Sequence, residues 1–249
     1  ELRLNGFSEQ GGAAALANVN IKMADLGTIG LAGSMHTAGY GQVDQTLDQM
    51  TKDNLYSYAF STGLEVGKFF PAALGIRIPF YANYSQSFST PQYDPYQFDI
   101  KSKDQFTIIR NLYGADSLRQ YKQDVRTINT TRGFNFTNVR IVPKTKAKRP
   151  HIYDPGNFNF TYSQNEISYS DPFTVNNAVK TWLGIINWSF APQSKELLPF
   201  KKIIKSKSKW LDLVRDFNFN PYPSTMAVTS NWTRILNTVQ LRSLGGVDF

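Results

Sequence analysis

Few residues of this chain have the types and spacings that catalysis or metal binding requires. There are two histidines, His36 and His151, and no cysteine. Neither histidine has a carboxylate or a second histidine at the spacing of a metal-binding motif, so we expect no metal site. The stretch Gly39-Tyr40-Gly41 lacks the third glycine and the following helix of a dinucleotide-binding loop, so we predict no cofactor.

The search for a nucleophile or an acid–base pair is equally negative. No Walker sequence and no serine nucleophile elbow occurs in the chain. Glu65 and Glu166 are interpreted as members of polar strand faces, a position that suits a glycosidase, but nothing in the sequence pairs them. We therefore predict no catalytic residue and expect that the protein is not an enzyme.

The charge and hydropathy of the chain indicate which classes of partner are favoured. The chain has 27 lysines and arginines against 19 aspartates and glutamates, a formal net charge of +8, yet the basic residues are mostly scattered or confined to loops. This distribution does not favour nucleic-acid binding. No stretch approaches the ~18 apolar residues of a membrane-spanning helix, so a membrane role would require strands or surface attachment. The start shows no signal-peptide pattern, and we expect either a mature product or a piece of a longer chain.

Alternation of apolar and polar side chains predicts the elements that position these residues. In residues 56–68, Tyr58 and Phe60 share one side, whereas Ser57 and Ala59 share the other. A period of two is the mark of a β-strand. Such runs are about twice as long as a typical strand of ~5–6 residues, and approach the ~9–11 residues with which a tilted strand crosses a bilayer. Eight strands are predicted in this way, at residues 13–23, 28–36, 56–68, 76–88, 132–141, 157–168, 175–190 and 224–235.

These elements predict an all-β antiparallel fold with short helices in long loops. No repeat or low-complexity linker divides residues 1–249, so we expect a single segment. Asp116 and Ser117 are predicted to cap a short helix. Residues 194–217 also show helical spacing, with lysines around an apolar stripe, which is typical of a helix packed on its own protein or lying on an anionic membrane surface. The apolar positions of the first helix are Leu118, Tyr121, Val125 and Ile128.

The predicted connections between the strands have unequal lengths. Long loops at every second or third connection are typical of an outer-membrane barrel whose short turns share one side. Two other interpretations stay open: a stand-alone small outer-membrane β-barrel that binds a lipid-like ligand, and a soluble β-sandwich that binds or cleaves carbohydrate. The tight connections are predicted at 24–27 and 69–75, and the long ones at 37–55, 89–131 and 191–222.

Several strings in the chain are similar to one protein family. The chain resembles the SprA/Sov family, the giant outer-membrane translocon of the type IX secretion system of Bacteroidetes, which also supports gliding motility. The similarity keeps the same order from end to end and covers more than half of the chain. The strings are LRLNGFSEQGGAAALANVNIKMADLGTIGLAGSMHTAGYG (2–41), GIRIPFYANYSQSFSTPQYDPYQFDI (75–100), RGFNFTNVR (132–140), HIYDPGNFNFTYSQNE (151–166) and LVRDFNFNPYPS (213–224).

This resemblance implies an architecture and a set of partners. Family members are several times longer, so the chain is expected to be an internal fragment of a transmembrane β-barrel of about 36 strands, in which eight strands form an arc. The family offers no catalytic or cofactor-binding residue to carry over. The implied partners are the remaining strands of the same barrel, a porin-like cargo-receiving protein, a periplasmic plug, secreted cargo with C-terminal signal domains, and membrane lipid.

The resemblance also implies which face of the strands meets lipid. The aromatic and aliphatic side is expected to face lipid, and the small and polar side is expected to face a water-filled lumen. The predicted lipid-facing residues are Tyr58, Phe60, Leu64, Val66, Ile76, Ile78, Phe80, Tyr84, Phe158, Phe160, Tyr162, Trp182, Ile186 and Trp188. The predicted lumen-facing residues are Ser57, Ala59, Ser61, Gly63, Glu65, Arg77, Asn83 and Ser85.

Overall fold

One antiparallel sheet makes up most of the protein. The computed structural model describes residues 11–41, 49–142, 151–192, 197–199, 214, 216–220 and 222–243. Nine strands pair side by side within these ranges, in chain order except that the short β4 pairs with β6. The predicted all-β antiparallel fold is therefore confirmed. The strands are β1 (Ala14–Met23), β2 (Gly27–His36), β3 (Asp53–Glu65), β4 (Ile76–Arg77), β5 (Pro79–Pro91), β6 (Thr127–Ile141), β7 (Phe158–Ser170), β8 (Thr174–Phe190) and β9 (Met226–Leu241).

All eight predicted strands are present, and pairing with a neighbour decides where several of them end. β6 begins at Thr127 rather than at residue 132, because Thr127 pairs with Ser89 near the end of β5. β9 continues past residue 235 to Leu241, because Leu241 pairs with Thr174 at the start of β8. Alternation within one strand does not show how far the adjacent strand extends, so these ends could not be predicted.

The predicted strand 76–88 is divided into β4 and β5 at Ile78. Pro79 has no backbone N–H, so it is tolerated as the first residue of β5. The N–H of Ile78 donates to the carboxylate of Glu65 (2.7 Å), and the N–H of Val66 donates to the carbonyl of Ile78 (2.9 Å). β3 therefore ends at Glu65, and Val66 and Ile78, both predicted to face lipid, lie in the connection between the strands instead.

Tight turns occur at both ends of the sheet, so the prediction that the short turns share one side is wrong. The turn between β1 and β2 lies at one end and the turn between β7 and β8 at the other. Unequal loop lengths therefore do not identify one side of this sheet. We call the two ends the helix end, which carries the connections 37–52, 92–126 and 171–173, and the far end, which carries 24–26, 66–78, 142–157 and 191–225.

Helix α1 (Ser102–Val125) lies at the helix end, between β5 and β6. It is longer than the predicted short helix, and Gly114 interrupts it with φ 86° and ψ −177°. The second half matches the prediction best, since Val125 is fully buried, although Ile128 belongs to β6. Most of the predicted helix at 194–217 lies outside the described residues. No helix in the described part of the chain is long and apolar enough to cross a membrane.

The tight turn between β7 and β8 depends on the side chain of Asp171. One carboxylate oxygen accepts hydrogen bonds from the backbone N–H groups of Phe173 (2.9 Å) and Thr174 (2.6 Å), and the other accepts one from the Tyr169 hydroxyl (2.7 Å). Burial acts to raise the pKa of Asp171, but these hydrogen bonds outweigh it and the pKa is lowered. The ionised carboxylate is therefore the form that holds the turn.

Replacement of Asp171 by alanine is expected to lower stability by about 1–2 kcal/mol, because two backbone N–H groups and one hydroxyl lose their acceptor. Since the pKa is lowered, this contribution is present above the ordinary aspartate pKa of about 3.9 and is lost as the pH falls through the folded-state value. Denaturant unfolding of both proteins, each folded in a mild detergent, should show a difference at about pH 7 that shrinks towards about pH 3. A difference that does not change with pH would contradict the role of the ionised form.

Few side chains are buried, and most of those lie at the helix end. Val125 and Asp94 are fully buried there, whereas both faces of the strands are largely open. Phe60 on β3 is 39 % exposed and Trp232 on β9 is 48 % exposed. A sheet normally buries an apolar face against another layer. Within the described ranges, the aromatic side chains have no such layer over them.

Candidate functional site: the two faces of the sheet

The cross-strand register places the large apolar side chains of different strands on one face. Phe60 on β3 lies between Leu31 on β2 and Tyr84 on β5. Rings contact one another across strands, as do Phe80 and Phe136, whose centroids are 5.0 Å apart. We call this side the aromatic face. Its members include Tyr58, Phe60, Leu64, Phe80, Tyr84, Phe134, Phe136, Phe158, Phe160, Tyr162, Trp182, Ile186, Trp188 and Trp232.

The opposite side, which we call the polar face, carries small hydroxyl and amide side chains. Ser57 on β3 pairs with Ser34 on β2, and their hydroxyl oxygens are 2.5 Å apart. Ala59 lies between Ala32 and Ser85. Because these side chains are short, they leave a shallow cleft of about 340 Å³ that extends over β2, β3, β5 and β6.

The structure groups the predicted face residues as the alternation indicated. Every predicted lipid-facing residue that belongs to a strand lies on the aromatic face, and every predicted lumen-facing residue lies on the polar face. The exceptions are Val66 and Ile78, which lie in the connection after β3. The grouping is a property of the fold. Which face meets lipid and which meets water stays a prediction.

A β-bulge near the far end keeps the apolar side chains of β6 on the aromatic face. Asn138 has a left-handed φ of 57° and interrupts the register between β6 and β7. Val139 consequently pairs with Phe160 on the aromatic face, and Ile141 pairs with Ile76 on the same side. An uninterrupted alternation would have turned Val139 towards the polar face.

Four charged side chains of the described strands interrupt the aromatic face, and three of them lie side by side, the fourth being Arg234 opposite Trp182. Arg132, Glu166 and Lys180 lie opposite one another on β6, β7 and β8, and we call them the ion cluster. The Glu166 carboxylate accepts two hydrogen bonds from the Arg132 guanidinium (2.8 and 3.0 Å) and lies 3.5 Å from the Lys180 ammonium. The side chain of Glu166 is only 13 % exposed. Glu166 was therefore wrongly interpreted as a member of a polar face.

The ion cluster was missed although the sequence contains a signal for it. Glu166 lies four residues after Tyr162 on β7, and Lys180 lies two residues before Trp182 on β8. Because an even spacing puts two residues on the same face of a strand, the sequence alone would have placed these charges among aromatic residues. What it could not show is that β6, β7 and β8 are neighbours at a register that brings the charges together.

The described strands carry no charged side chain in the middle of the polar face. Lys22, Glu65, Arg77 and Arg140 lie at the far end, and Asp53 lies at the helix end. Between these limits the side chains are hydroxyls, amides and small or apolar groups. The hydroxyl and amide groups of this face can therefore hydrogen-bond to water without a fixed charge beside them. Apolar side chains interrupt these groups on β8 (Val179, Leu183 and Ile185) and on β9 (Ile235).

Both histidines have carboxylate neighbours that their sequence spacing did not predict. The Nε2 atom of His36 lies 3.5 Å from Asp53, which also accepts a hydrogen bond from the Ser89 hydroxyl. The Nδ1 atom of His151 lies 3.8 Å from Asp154. No cluster of three potential metal ligands occurs among the described residues. These pairs are suited to holding loops in place at the two ends of the sheet.

A buried aspartate ties the helix end together. The Asp94 carboxylate accepts hydrogen bonds from the backbone N–H groups of Tyr96 (2.8 Å) and Gln97 (3.1 Å) and from the Tyr121 hydroxyl on α1 (2.5 Å). Burial, together with the Asp94 hydrogen bond, raises the pKa of Tyr121. The Tyr96 hydroxyl in turn donates to the carbonyl of Pro172, in the turn between β7 and β8 (3.0 Å). We call these residues the Asp94 anchor.

Part of the chain matches the model of a known protein family. The family model SprA_N, described as a motility related/secretion protein, matches residues 1–106. The match includes the strands from β1 to β5 and the start of α1. No curated protein matches the chain. Over residues 1–106, less than half of its length, the chain is therefore similar to the SprA_N family of motility-related and secretion proteins.

Proposed function

We propose that this chain is a structural part of an outer-membrane channel that exports folded cargo proteins by type IX secretion and also supports gliding motility. The observation that carries the proposal is a single sheet of long strands with one aromatic face and one polar face whose charged side chains, on the described strands, lie only near its two ends. β8 has 17 residues and β9 has 16, which exceeds the ~9–11 residues that a tilted strand needs to cross a bilayer. Lipid covers the first face and water the second.

The open edges of the sheet support a larger assembly. Within the described ranges β1 pairs only with β2, and β9 pairs only with β8. A sheet edge with unpaired N–H and C=O groups is not tolerated in lipid, because no water is present to satisfy those groups. Further strands of the same barrel protein are therefore the proposed neighbours of β1 and β9.

The polar face is the proposed wall of the conduit. Its hydroxyl and amide groups hold water, and the lack of central charge on the described strands avoids attraction to either sign of cargo surface. The proposed partners are a porin-like cargo-receiving protein, a periplasmic plug and cargo with C-terminal signal domains. On this proposal the chain acts by lining and supporting a pore, with no catalytic step of its own.

The alternative β-sandwich would require a different arrangement. In a sandwich the aromatic face lies about 10 Å from a second sheet, with which its side chains interdigitate. The described strands form one sheet only, and both of its faces are open. Solution behaviour separates the two possibilities.

The isolated 249-residue chain is expected not to form a stable monomer in detergent-free buffer. The reason is that it exposes an aromatic face and two unpaired edges to water. Size-exclusion chromatography and circular dichroism, with and without a mild detergent, provide the measurement. A sharp monomer peak with cooperative melting in water alone would contradict the membrane assignment and favour the β-sandwich.

A further inference from the structure

We propose that the ion cluster, together with Arg234 and Trp182, binds the phosphate headgroup of an anionic membrane lipid. This inference rests on the proposed function, since it requires the aromatic face to meet lipid. It adds a site of stated chemistry to a face that would otherwise be only a hydrophobic belt. The occupant is a lipid, because the cluster is continuous with an aromatic surface suited to acyl chains.

The position of the cluster follows from the limits of the apolar residues on each strand. On β3 and β5 the apolar side chains of the aromatic face continue to Tyr56 and Phe88, near the helix end. On β7 and β8 the large apolar side chains stop at Tyr162 and Trp182. The next residue on this face towards the helix end is Gln164 on β7 and Lys180 on β8, followed on β8 by the small, buried Ala178. Barrel strands are tilted by ~35–45°, so a level apolar band crosses neighbouring strands at a changing register. The ion cluster lies at the edge of that band on β7 and β8, while Ile128 on β6 and Leu236 on β9 lie on the same face beside it.

The chemistry of the edge suits a phosphate. Aromatic rings and cationic side chains are the groups that proteins place at headgroup level, because each has an apolar body and a polar tip. The guanidinium of Arg234 lies over the indole of Trp182, 5.4 Å from the ring centroid. Trp182 is the residue next to Lys180 on the same face of β8, and Arg234 lies opposite Trp182 on β9. Arg234 therefore adds one more cation beside the ion cluster.

The site has a net positive charge, because its cations outnumber the one carboxylate that pairs with them. Arg132, Lys180 and Arg234 are cationic and Glu166 is the one anion among them. Both cations of the ion cluster bind the same carboxylate oxygen, Oε2 of Glu166. Arg132 remains 59 % exposed and Lys180 36 % exposed, so both retain donors for a second acceptor. Glu166 therefore positions two cations and leaves an excess of positive charge for a headgroup.

A fluorophore beside the cluster tests this inference. The whole protein that contains the chain is placed in phosphatidylcholine vesicles with a fluorophore on Ser168→Cys, two positions from Glu166 on the same face, and any cysteines elsewhere are replaced. Brominated phosphatidylglycerol and brominated phosphatidylcholine are compared as quenchers. Each cationic side chain near a membrane surface favours anionic lipid by about fivefold. The site carries two more cations than anions, so we expect phosphatidylglycerol to quench at a mole fraction roughly 25-fold lower.

Matched variants assign the preference to named residues. The double variant Arg132→Gln, Lys180→Gln should bring the quenching ratio close to one, whereas Arg140→Gln, on the polar face at the far end, should leave it unchanged. Where the double variant fails to fold, Lys180→Gln alone keeps the Arg132–Glu166 pair and should lower the ratio by about fivefold. An unchanged ratio in a folded variant would show that the cluster is only a structural ion pair.

Three further outcomes separate the ways in which the proposal could fail. Equal quenching by both lipids would overturn the headgroup site and leave the membrane assignment intact. Quenching by neither lipid would show that the aromatic face does not meet lipid, and would overturn the proposed function as well. Loss of the phosphatidylglycerol preference on addition of inorganic phosphate at millimolar concentration would show that the site takes phosphate from solution, which also overturns the lipid assignment.

Discussion

Arginine in place of Phe60 is expected to remove most of the folded protein from the membrane, whereas arginine in place of Ala59 is expected to leave most of it in place. Phe60 lies on the aromatic face between Leu31 and Tyr84. An arginine there would put a guanidinium among apolar side chains that are proposed to meet lipid. Near the bilayer midplane this costs on the order of 2–4 kcal/mol, and the cost falls towards zero near an interface.

The neighbouring position supplies a matched control. Ala59 lies on the polar face between Ala32 and Ser85, two small side chains beside the shallow cleft. An arginine at this position has room to extend and is proposed to reach water. The two positions are adjacent in sequence, lie at nearly the same depth and receive the same new charge, so only the face differs.

The comparison needs a measurement of folded protein in the membrane. Heat-modifiable mobility and protection from added protease both report it, and each is applied to the whole protein in membranes. Phe60→Arg should reduce the folded fraction by well over tenfold relative to Ala59→Arg, since ~1.4 kcal/mol corresponds to a factor of ten. Equal losses, or a greater loss from Ala59→Arg, would reverse the assignment of lipid and lumen.

Much of the fold could be predicted because an alternation of apolar and polar residues with a period of two shows which side chains share a face of a strand. On β3 the alternation of Tyr58 and Phe60 with Ser57 and Ala59 appears in the structure without change. Tertiary contacts do not alter this pattern, since a strand has only two faces. The existence and type of all eight long strands followed from it.

The parts that could not be predicted depend on contacts between strands. The bulge at Asn138 resets the phase of β6, and nothing in the local alternation marks it as a bulge rather than an irregular strand end. The start of α1 at Ser102 was also missed. Lys101 precedes it without a side-chain cap, and Gly114 interrupts the helical pattern that a prediction would follow.

The ion cluster shows the same limit at the level of the site. Arg132 and Glu166 are widely separated in sequence and pair only because β6 and β7 are adjacent. A charged residue whose position in the alternation puts it on the aromatic face contradicts the simple rule that one face of a strand is apolar and the other polar. Such local conflicts are expected at functional positions, where a binding requirement outweighs the pattern.

Loss of the Asp94 carboxylate is expected to release the second half of α1 from the end of the sheet. Asp94 is fully buried and holds two backbone N–H groups and the Tyr121 hydroxyl. Asp94→Ala leaves all three donors without that acceptor in a buried site, at a cost of about 1–3 kcal/mol for each that stays unsatisfied. Because α1 has few other contacts with the strands, the expected result is local release of the helix rather than unfolding of the sheet.

The anchor should also respond to alkaline pH. Burial and the Asp94 hydrogen bond raise the pKa of Tyr121, so its protonated form is favoured in the folded protein. The stability that this adds is complete below the unfolded tyrosine pKa of about 10 and is lost as the pH rises through the folded-state value. Release of α1 in the wild-type protein is therefore expected only at strongly alkaline pH.

Hydrogen exchange of the amides in the second half of α1 distinguishes local release from global unfolding. In Asp94→Ala these amides should exchange faster by two orders of magnitude or more, since ~2.8 kcal/mol corresponds to a hundredfold change, while the amides of β7 and β8 keep their protection. Asp99→Ala is the matched control, because Asp99 is an exposed carboxylate on the same loop. Asp94→Asn keeps a carbonyl oxygen for the two backbone N–H groups and should fall between the two. Unchanged exchange in Asp94→Ala would show that the helix is held by its apolar contacts, such as those of Val125, and not by the buried carboxylate.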